Sequence, residues 1–264
     1  MSEPVTGMTE APSGERLMSP LAGRVFGVLA LLALAALVVV GLFVAPPDEV
    51  QGDAQRLMYL HVPAAWLAYL AFGVTAVSSA LYLWPRTRSF VWDRVAGASA
   101  ELGVIFTGLT LLLGSMWGRP VWGVWWAWDA RLVTTAVLFF LYLGYLALRR
   151  VPAALDVRAK RCAILALIAF VDVPIVHFSV TWWRTLHQEA TVFNAELDAE
   201  IHGTMALALW IGVLAFTLLY VYLLDLRYRL EVIEEDREER ELEAAIADRV
   251  QGGTASPEAV GVGS

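Results

Sequence analysis

Five tryptophans lie within the dozen residues 117–128, between two long apolar segments. They are Trp117, Trp122, Trp125, Trp126 and Trp128. Single charges flank them: Arg119 lies inside the run, and Asp129 and Arg131 follow it. Indole rings offer large apolar faces with a polar N–H edge, and the planar guanidinium of arginine matches carboxylates. The pattern therefore indicates a site for a large, flat, anionic ligand.

The histidines add a possible metal contact. All four of them, His61, His177, His187 and His202, lie near the same edge of the apolar segments. Neutral imidazole binds metals, and the iron of haem has one axial position on each face. Haem is planar and carries two propionates, so it fits this set of residues. The structural alternatives are an interfacial aromatic belt for the tryptophans and hydrogen-bonded structural roles for His177 and His202.

The composition is that of a polytopic membrane protein. Of 264 residues, 58% are hydrophobic and 17% are charged, and the mean hydropathy is +0.61; soluble domains average about 45–50% and about 25%. The single cysteine, Cys162, excludes an intramolecular disulfide and a cysteine-based zinc or iron–sulfur site. The net charge of −7 arises mostly from the C-terminal segment and indicates no nucleic-acid partner.

Six apolar segments are long enough to cross the membrane, which takes roughly 20 residues per helix. They are residues 25–45, 57–85, 95–118, 132–148, 162–183 and 203–224. We therefore predict an all-α bundle of six transmembrane helices over residues 21–226, after a poorly ordered segment, 1–20. The acidic tail, 227–264, alternates acids with arginine from Glu231 to Val250. This spacing predicts a solvated helix, and the last dozen residues are predicted to be disordered.

Lysine and arginine predict the orientation of the bundle. Close to the ends of the segments, twelve lie at the termini or in the loops after the second and fourth segments, and four lie on the other side: Arg56, Arg119, Arg131 and Arg184. This bias predicts that both termini are cytoplasmic and that the tryptophan loop, between helices 3 and 4, faces the periplasm. Glu101 and Asp172 lie inside segments, where ionisable groups are costly and often functional.

Several motifs around these residues resemble one family. Trp122-Gly123-Val124-Trp125-Trp126-Ala127-Trp128-Asp129 resembles the WWD signature of haem-handling proteins in c-type cytochrome biogenesis. The segments 114–120 (GSMWGRP), 129–132 (DARL), 58–63 (MYLHVP), 174–180 (PIVHFSV) and 182–188 (WWRTLHQ) are similar to those of CcmC, the haem-delivery subunit of the cytochrome c maturation system. The resemblance covers residues 20–225 and leaves out the acidic tail.

The resemblance implies a periplasmic haem site whose two axial ligands map onto His61 and His187. Haem b would be a transient cargo held against the tryptophan loop. The implied contacts are Trp117, Trp122, Gly123, Trp125, Trp126, Trp128 and Asp129, with Arg119, Arg131 and Arg184 as candidate propionate partners. The resemblance also implies delivery to the haem chaperone CcmE. It implies association with the transporter subunits CcmA and CcmB and with CcmD in the bacterial inner membrane.

We expect no enzymatic activity. Two axial imidazoles leave no open iron position for oxygen chemistry, and the sequence has no phosphate-binding Gly-Lys motif. Three alternatives remain. A membrane b-type electron-transfer protein would place paired histidines within the bundle. A transmembrane haem transporter would need broken helices or a polar midplane path, of which only Asp172 and Pro174 give a sign. The six-span length and the Asp129-Ala130-Arg131 flank disfavour a related WWD protein that itself attaches haem to cytochromes.

Overall fold

A computed structural model describes residues 16–187 and 203–254 of the chain, with side chains to residue 249. Within these ranges the chain forms seven α-helices. They are α1 (Pro20–Val39), α2 (Met58–Leu83), α3 (Phe90–Trp122), α4 (Ala130–Arg149), α5 (Leu155–Phe170), α6 (Asp172–Trp182) and α7 (Gly203–Thr254). A π-helical turn, Val40–Val44, extends α1, and a 3-10 turn, Asp53–Leu57, leads into α2. Of the segments predicted to lack order, 1–20 and the last dozen residues, residues 1–15 and 255–264 lie outside the described residues.

The six predicted transmembrane segments are confirmed. Within the described part of the chain, six helical segments are long and apolar enough to span a membrane. The fifth is not the uninterrupted helix expected from residues 162–183, because α5 ends at Phe170 and α6 begins at Asp172. Pro174 favours the break, since it has no N–H to donate to the Phe170 carbonyl. It therefore lies in the first turn of a new helix, where that bond is not needed.

Helix α2 packs against α3, α5 and α7. Phe72 of α2 stacks on Tyr142 of α4, with ring centroids 3.7 Å apart and both side chains fully buried. Gly103 of α3 makes this packing possible, because a Cβ there would lie 2.4 Å from the Phe72 ring. This close packing fixes the positions of α2, α3 and α4, which carry residues of the site, relative to one another.

Helix α3 is longer than predicted and contains part of the tryptophan run. It continues to Trp122, so that Trp117 and Trp122 lie on its last turns. Gly123 ends it in the left-handed conformation, at φ +80°, which glycine adopts without steric cost. The Gly123 N–H bonds to the Arg119 carbonyl at 3.0 Å, and the Arg119 side chain donates to the Gly123 carbonyl at 2.6 Å.

The acidic tail is not solvated from its start. Helix α7 runs without a break through residue 226, and Tyr228 and Val232 are buried against Val95 and Ala98 of α3. The prediction of a solvated tail helix is therefore wrong for the turns up to residue 235. It agrees with the exposed side chains from Arg237 to residue 249.

Buried arginines account for the packing of the first tail acids. Arg149 of α4 pairs with Asp93 of α3 at 2.8 Å and with Glu231 of α7 at 2.9 Å. Arg158 of α5 pairs with Glu235 of α7. We call these five residues the tail-end ion network; they lie at the opposite end of the bundle from the tryptophans. Apolar periodicity does not reveal such pairs, because each partner comes from a different helix.

The tail-end ion network yields a stability prediction. Replacing Arg149 with Met leaves Glu231 buried without the cation that it pairs with, and leaves Asp93 with its longer pair to Arg158 at 3.7 Å. Loss of one partner of a buried pair costs about 3–5 kcal/mol. We expect the free energy of unfolding in detergent micelles to fall by about that amount. The control is Arg237→Met, because Arg237 pairs with Glu241 at the surface, where such pairs contribute about 0–1 kcal/mol. Equal losses in the two variants would contradict the prediction.

Candidate functional site

A cavity of about 460 Å³ lies among α2, α3, α4 and α6 at the end of the bundle that carries the tryptophans. This size falls within the range of about 300–1,000 Å³ typical of cofactor and ligand sites. Three histidines, His61, His177 and His187, line it together with Arg131. The fourth histidine, His202, lies outside the described residues. The cavity is otherwise mostly apolar, so these four side chains dominate its chemistry.

His187 is oriented by a carboxylate. Its Nδ1 lies 3.3 Å from Asp129 Oδ1, and the Trp122 ring meets it edge-on at 4.9 Å. When Nδ1–H donates to Asp129, the Nε2 lone pair is free to bind a metal. Burial lowers the pKa of His187 despite the opposing effect of Asp129, which favours the neutral ring that metal binding requires.

Asp129 connects three parts of the site. It is the N-cap of α4, where Oδ1 accepts the Arg131 N–H at 3.0 Å, and Oδ2 accepts the Leu186 N–H at 2.6 Å. Burial opposes the charge of Asp129. Hydrogen bonds from Thr185 and Leu186 outweigh that effect, so the pKa of Asp129 is below its usual value. Asp129 therefore remains an acceptor for His187 at neutral pH, a role that its position in the sequence did not indicate.

His61 is placed by packing. It lies in the first turn of α2, and the Trp117 ring meets it edge-on at 5.8 Å. A Cβ on Gly114 would lie 2.9 Å from His61 Cε1, so this position of α3 must be glycine for the ring to lie where it does. The His61 ring lies near the main chain of Thr110, and its buried Nδ1 makes no well-aligned hydrogen bond with the described residues.

His177 and Arg131 form another wall of the cavity. Arg131 donates from Nη2 to the His177 carbonyl at 2.9 Å, and the His177 ring meets Tyr69 edge-on at 6.4 Å. The Arg131 Nε is buried and has no hydrogen-bond partner among the described residues. Arg131 is also the sole cation among the described lining residues. This wall is therefore suited to an anionic group of a ligand. No described carboxylate orients the His177 ring in the way that Asp129 orients His187.

The tryptophan run is divided between the cavity and the surface. Trp117 and Trp126 line the cavity, and Trp122 contacts His187. Trp125 and Trp128 are 61% and 87% exposed. The run therefore forms both an inner wall of the cavity and an outer apolar surface.

Three further predicted site residues do not line the cavity. Gly123 and Arg119 stabilise the end of α3 through their mutual hydrogen bonds. Arg184 is exposed on the segment that connects α6 to His187. Their predicted contacts with a ligand stay predictions.

Other lining residues were not singled out from the sequence. From His61, helical spacing leads to Ala65 and Tyr69; from Trp117 it leads back to Gly114, Thr110 and Thr107. These residues line the cavity because positions three or four apart share a helix face. That spacing is the signal in the sequence that points to them.

Comparisons with known proteins identify the family. The family model described as "CcmC: Heme exporter protein C" matches residues 9–243. "Heme exporter protein C" of Haemophilus influenzae is 40% identical over 220 residues, covering 83% of this chain and 86% of the relative. The Escherichia coli protein of that name is 37% identical over 205 residues, covering 75% and 81%.

A plant relative extends the likeness beyond bacteria. The "Putative cytochrome c biosynthesis ccmC-like mitochondrial protein" of Arabidopsis thaliana is 34% identical over 221 residues, with 84% of this chain and 80% of the relative covered. The residues that the family model matches contain the four cavity-lining helices α2, α3, α4 and α6 and the tryptophan run. This chain, a multi-pass membrane protein, belongs to the CcmC family of haem exporter proteins.

Proposed function

We propose that this chain holds haem b, as a transient cargo, through axial ligation by His61 and His187, and that it delivers the haem to the chaperone CcmE for cytochrome c biogenesis. One observation carries the proposal. Two histidines from separate elements, one oriented by a carboxylate and the other by close packing, line one apolar cavity. A carboxylate that accepts a hydrogen bond from one imidazole nitrogen fixes the orientation of the ring. It also makes the other nitrogen a stronger ligand for a metal.

The cavity residues fit haem in three respects. The apolar walls of the cavity suit the haem macrocycle, and neutral imidazoles suit the haem iron. Arg131 offers a buried guanidinium for a propionate. When bound, haem would supply iron with two axial positions to fill, and the protein would orient the imidazoles and exclude water. His177 is the weaker ligand candidate because no described acid orients it, so we assign it to the wall that receives the propionates.

The orientation in the membrane follows from charge. The arginine and lysine bias favours a cytoplasmic location for both termini and a periplasmic location for the haem site in the bacterial inner membrane. The exposed Trp125 and Trp128 then face the periplasm, where CcmE would approach the haem edge. CcmA, CcmB and CcmD are the further partners proposed for the complex, with ATP chemistry on the transporter subunits. The bacterial relatives are haem exporter proteins by name, so we propose no catalytic residue here.

A second candidate function is transport of haem across the membrane. The break between α5 and α6 and the buried Asp172 favour it, because discontinuous helices and intramembrane acids are typical of transporters. Haem uptake into proteoliposomes that contain only this chain tests the candidate. Uptake that Asp172→Asn abolishes would favour transport over a holding function.

The ligand assignment predicts a spectrum. Detergent-purified protein loaded with haem is expected to have a six-coordinate bis-imidazole absorption spectrum. His61→Ala and His187→Ala should each lose it, because each removes one axial ligand. The controls are His177→Ala and His202→Ala, which should keep the spectrum. Loss of the spectrum in His177→Ala with its retention in His61→Ala would overturn the assignment.

The role of Arg131 predicts discrimination between ligands. We expect the protein to bind haem more tightly than haem dimethyl ester, because esterification removes the charges that pair with Arg131. In Arg131→Met the preference should fall by about tenfold or more, the range for a charged hydrogen bond. The dissociation constants of both ligands are measured by titration of both proteins, and the four values form a thermodynamic cycle that isolates the pairing of Arg131 with the ligand charges. Arg184→Met is the matched control; a similar loss of discrimination there would contradict the assignment to Arg131.

The exposed tryptophans predict a separation of holding from delivery. Trp128→Ala should keep the bis-imidazole spectrum, because Trp128 lies outside the cavity. It should slow the appearance of haem on CcmE severalfold, since removal of an exposed aromatic anchor weakens an interface. The measurement is the time course of haem transfer in a purified mixture. Trp84→Ala serves as the control, because Trp84 is 56% exposed at the opposite end of the bundle.

A further inference from the structure

We infer that Gln51 is a positioning residue for His61 and that it acts through the indole of Trp117. The Trp117 N–H donates to Gln51 Oε1 at 2.8 Å, and the same indole ring meets His61 edge-on. The inference rests on the proposed function, which makes His61 an iron ligand. It assigns a role in the site to residues 45–57, the loop between the first two membrane segments.

The loop holds Gln51 in a defined place. Asp48 and Gly52 exchange main-chain hydrogen bonds at 3.2 and 3.0 Å, which closes a tight turn. The Asp48 carboxylate accepts the N–H groups of Val50 and Gln51 at 2.9 and 2.7 Å. Gly52 has φ +58°, a conformation that favours glycine. The backbone of Gln51 is therefore fixed by its neighbours before its side chain meets Trp117.

A second set of bonds ties this loop to the first span. Arg56 donates from Nη1 to the carbonyls of Gly41 and Ala45 at 2.6 and 3.0 Å, and its Nε pairs with Asp53 at 2.8 Å. The carbonyls belong to the last turn of the first span, which has no helical partner for them. Movement of the turn relative to the bundle would break these bonds, so Gln51 is a fixed acceptor for Trp117.

Trp117 in turn limits the freedom of His61. The indole lines the cavity beside the histidine, and a partly buried indole N–H needs an acceptor. Without Gln51 the indole would turn to find another acceptor and would withdraw its edge from the ring. The close approach of Gly114 would still restrain His61 on that side. His187, by contrast, keeps its hydrogen bond to Asp129. Loss of the Gln51 acceptor should therefore loosen His61 and leave His187 unchanged.

The test compares three variants of the full-length protein in detergent. Gln51→Leu removes the acceptor, Gln51→Glu keeps an acceptor oxygen, and Glu49→Leu alters an exposed residue of the same turn as a control. Haem loss is measured by transfer to excess apomyoglobin. We expect Gln51→Leu to lose haem about three- to tenfold faster, the effect of one hydrogen bond, with a five-coordinate fraction in the spectrum. Gln51→Glu and Glu49→Leu should match the unaltered protein.

A second readout needs no haem. Diethyl pyrocarbonate modifies accessible imidazoles, and mass spectrometry of peptides follows His61 and His187 separately. In the haem-free protein, Gln51→Leu should speed modification of His61 severalfold and leave His187 unchanged. If that variant does not fold, Trp117→Phe removes the N–H while retaining an aromatic edge, and it should have the same selective effect.

The outcomes separate this inference from the proposed function. Unchanged rates at His61 in both Gln51→Leu and Trp117→Phe would overturn the positioning role, and so would equal acceleration at His61 and His187, which indicates general loosening. Failure of the unaltered protein to bind haem would overturn the proposed function instead. The modification rates would still decide whether Gln51 positions His61.

Discussion

The buried carboxylate of Asp129 is the interaction on which the site depends. It caps α4, accepts a main-chain N–H from the segment after α6, and orients His187. A buried carboxylate is tolerated only when donors surround it, so its partners are held together as a set. The tryptophan run that precedes Asp129 and the segment that carries His187 are thereby fixed to one another, although almost sixty residues separate them in the chain.

The two histidines are held by different interactions, and this difference suits the release of haem in the function that we propose. His187 depends on hydrogen bonds made by a short segment outside the helices, whereas His61 lies in a helix and is restrained by Gly114 and Trp117. Hydrogen bonds to a short segment can be exchanged locally. Repacking a helix would disturb the whole bundle. In the function that we propose, His187 is therefore the ligand more easily displaced when a partner approaches.

The opposite end of the bundle has a complementary role. The tail-end ion network joins α3, α4, α5 and α7 through buried charges, and two of these helices, α3 and α4, also form walls of the cavity. Lipid cannot solvate charges, so these pairs are costly to separate. The network keeps the helices aligned at one end, while at the other end the exposed Trp125 and Trp128 leave an apolar surface open to a partner.

The sequence by itself determined the class of the protein and predicted most of the ligand chemistry that we propose. Six apolar segments specify the spans, because hydrocarbon thickness sets their length. The density of tryptophan near His61 and His187 indicated a flat, metal-containing ligand. Only the tertiary structure decided how these residues are used. It assigned Asp129 to His187, Arg131 rather than Arg119 to the cavity, and Glu231 to a buried arginine instead of solvent. These pairings join distant segments, and no periodicity along one helix encodes which side chains will meet when several helices pack.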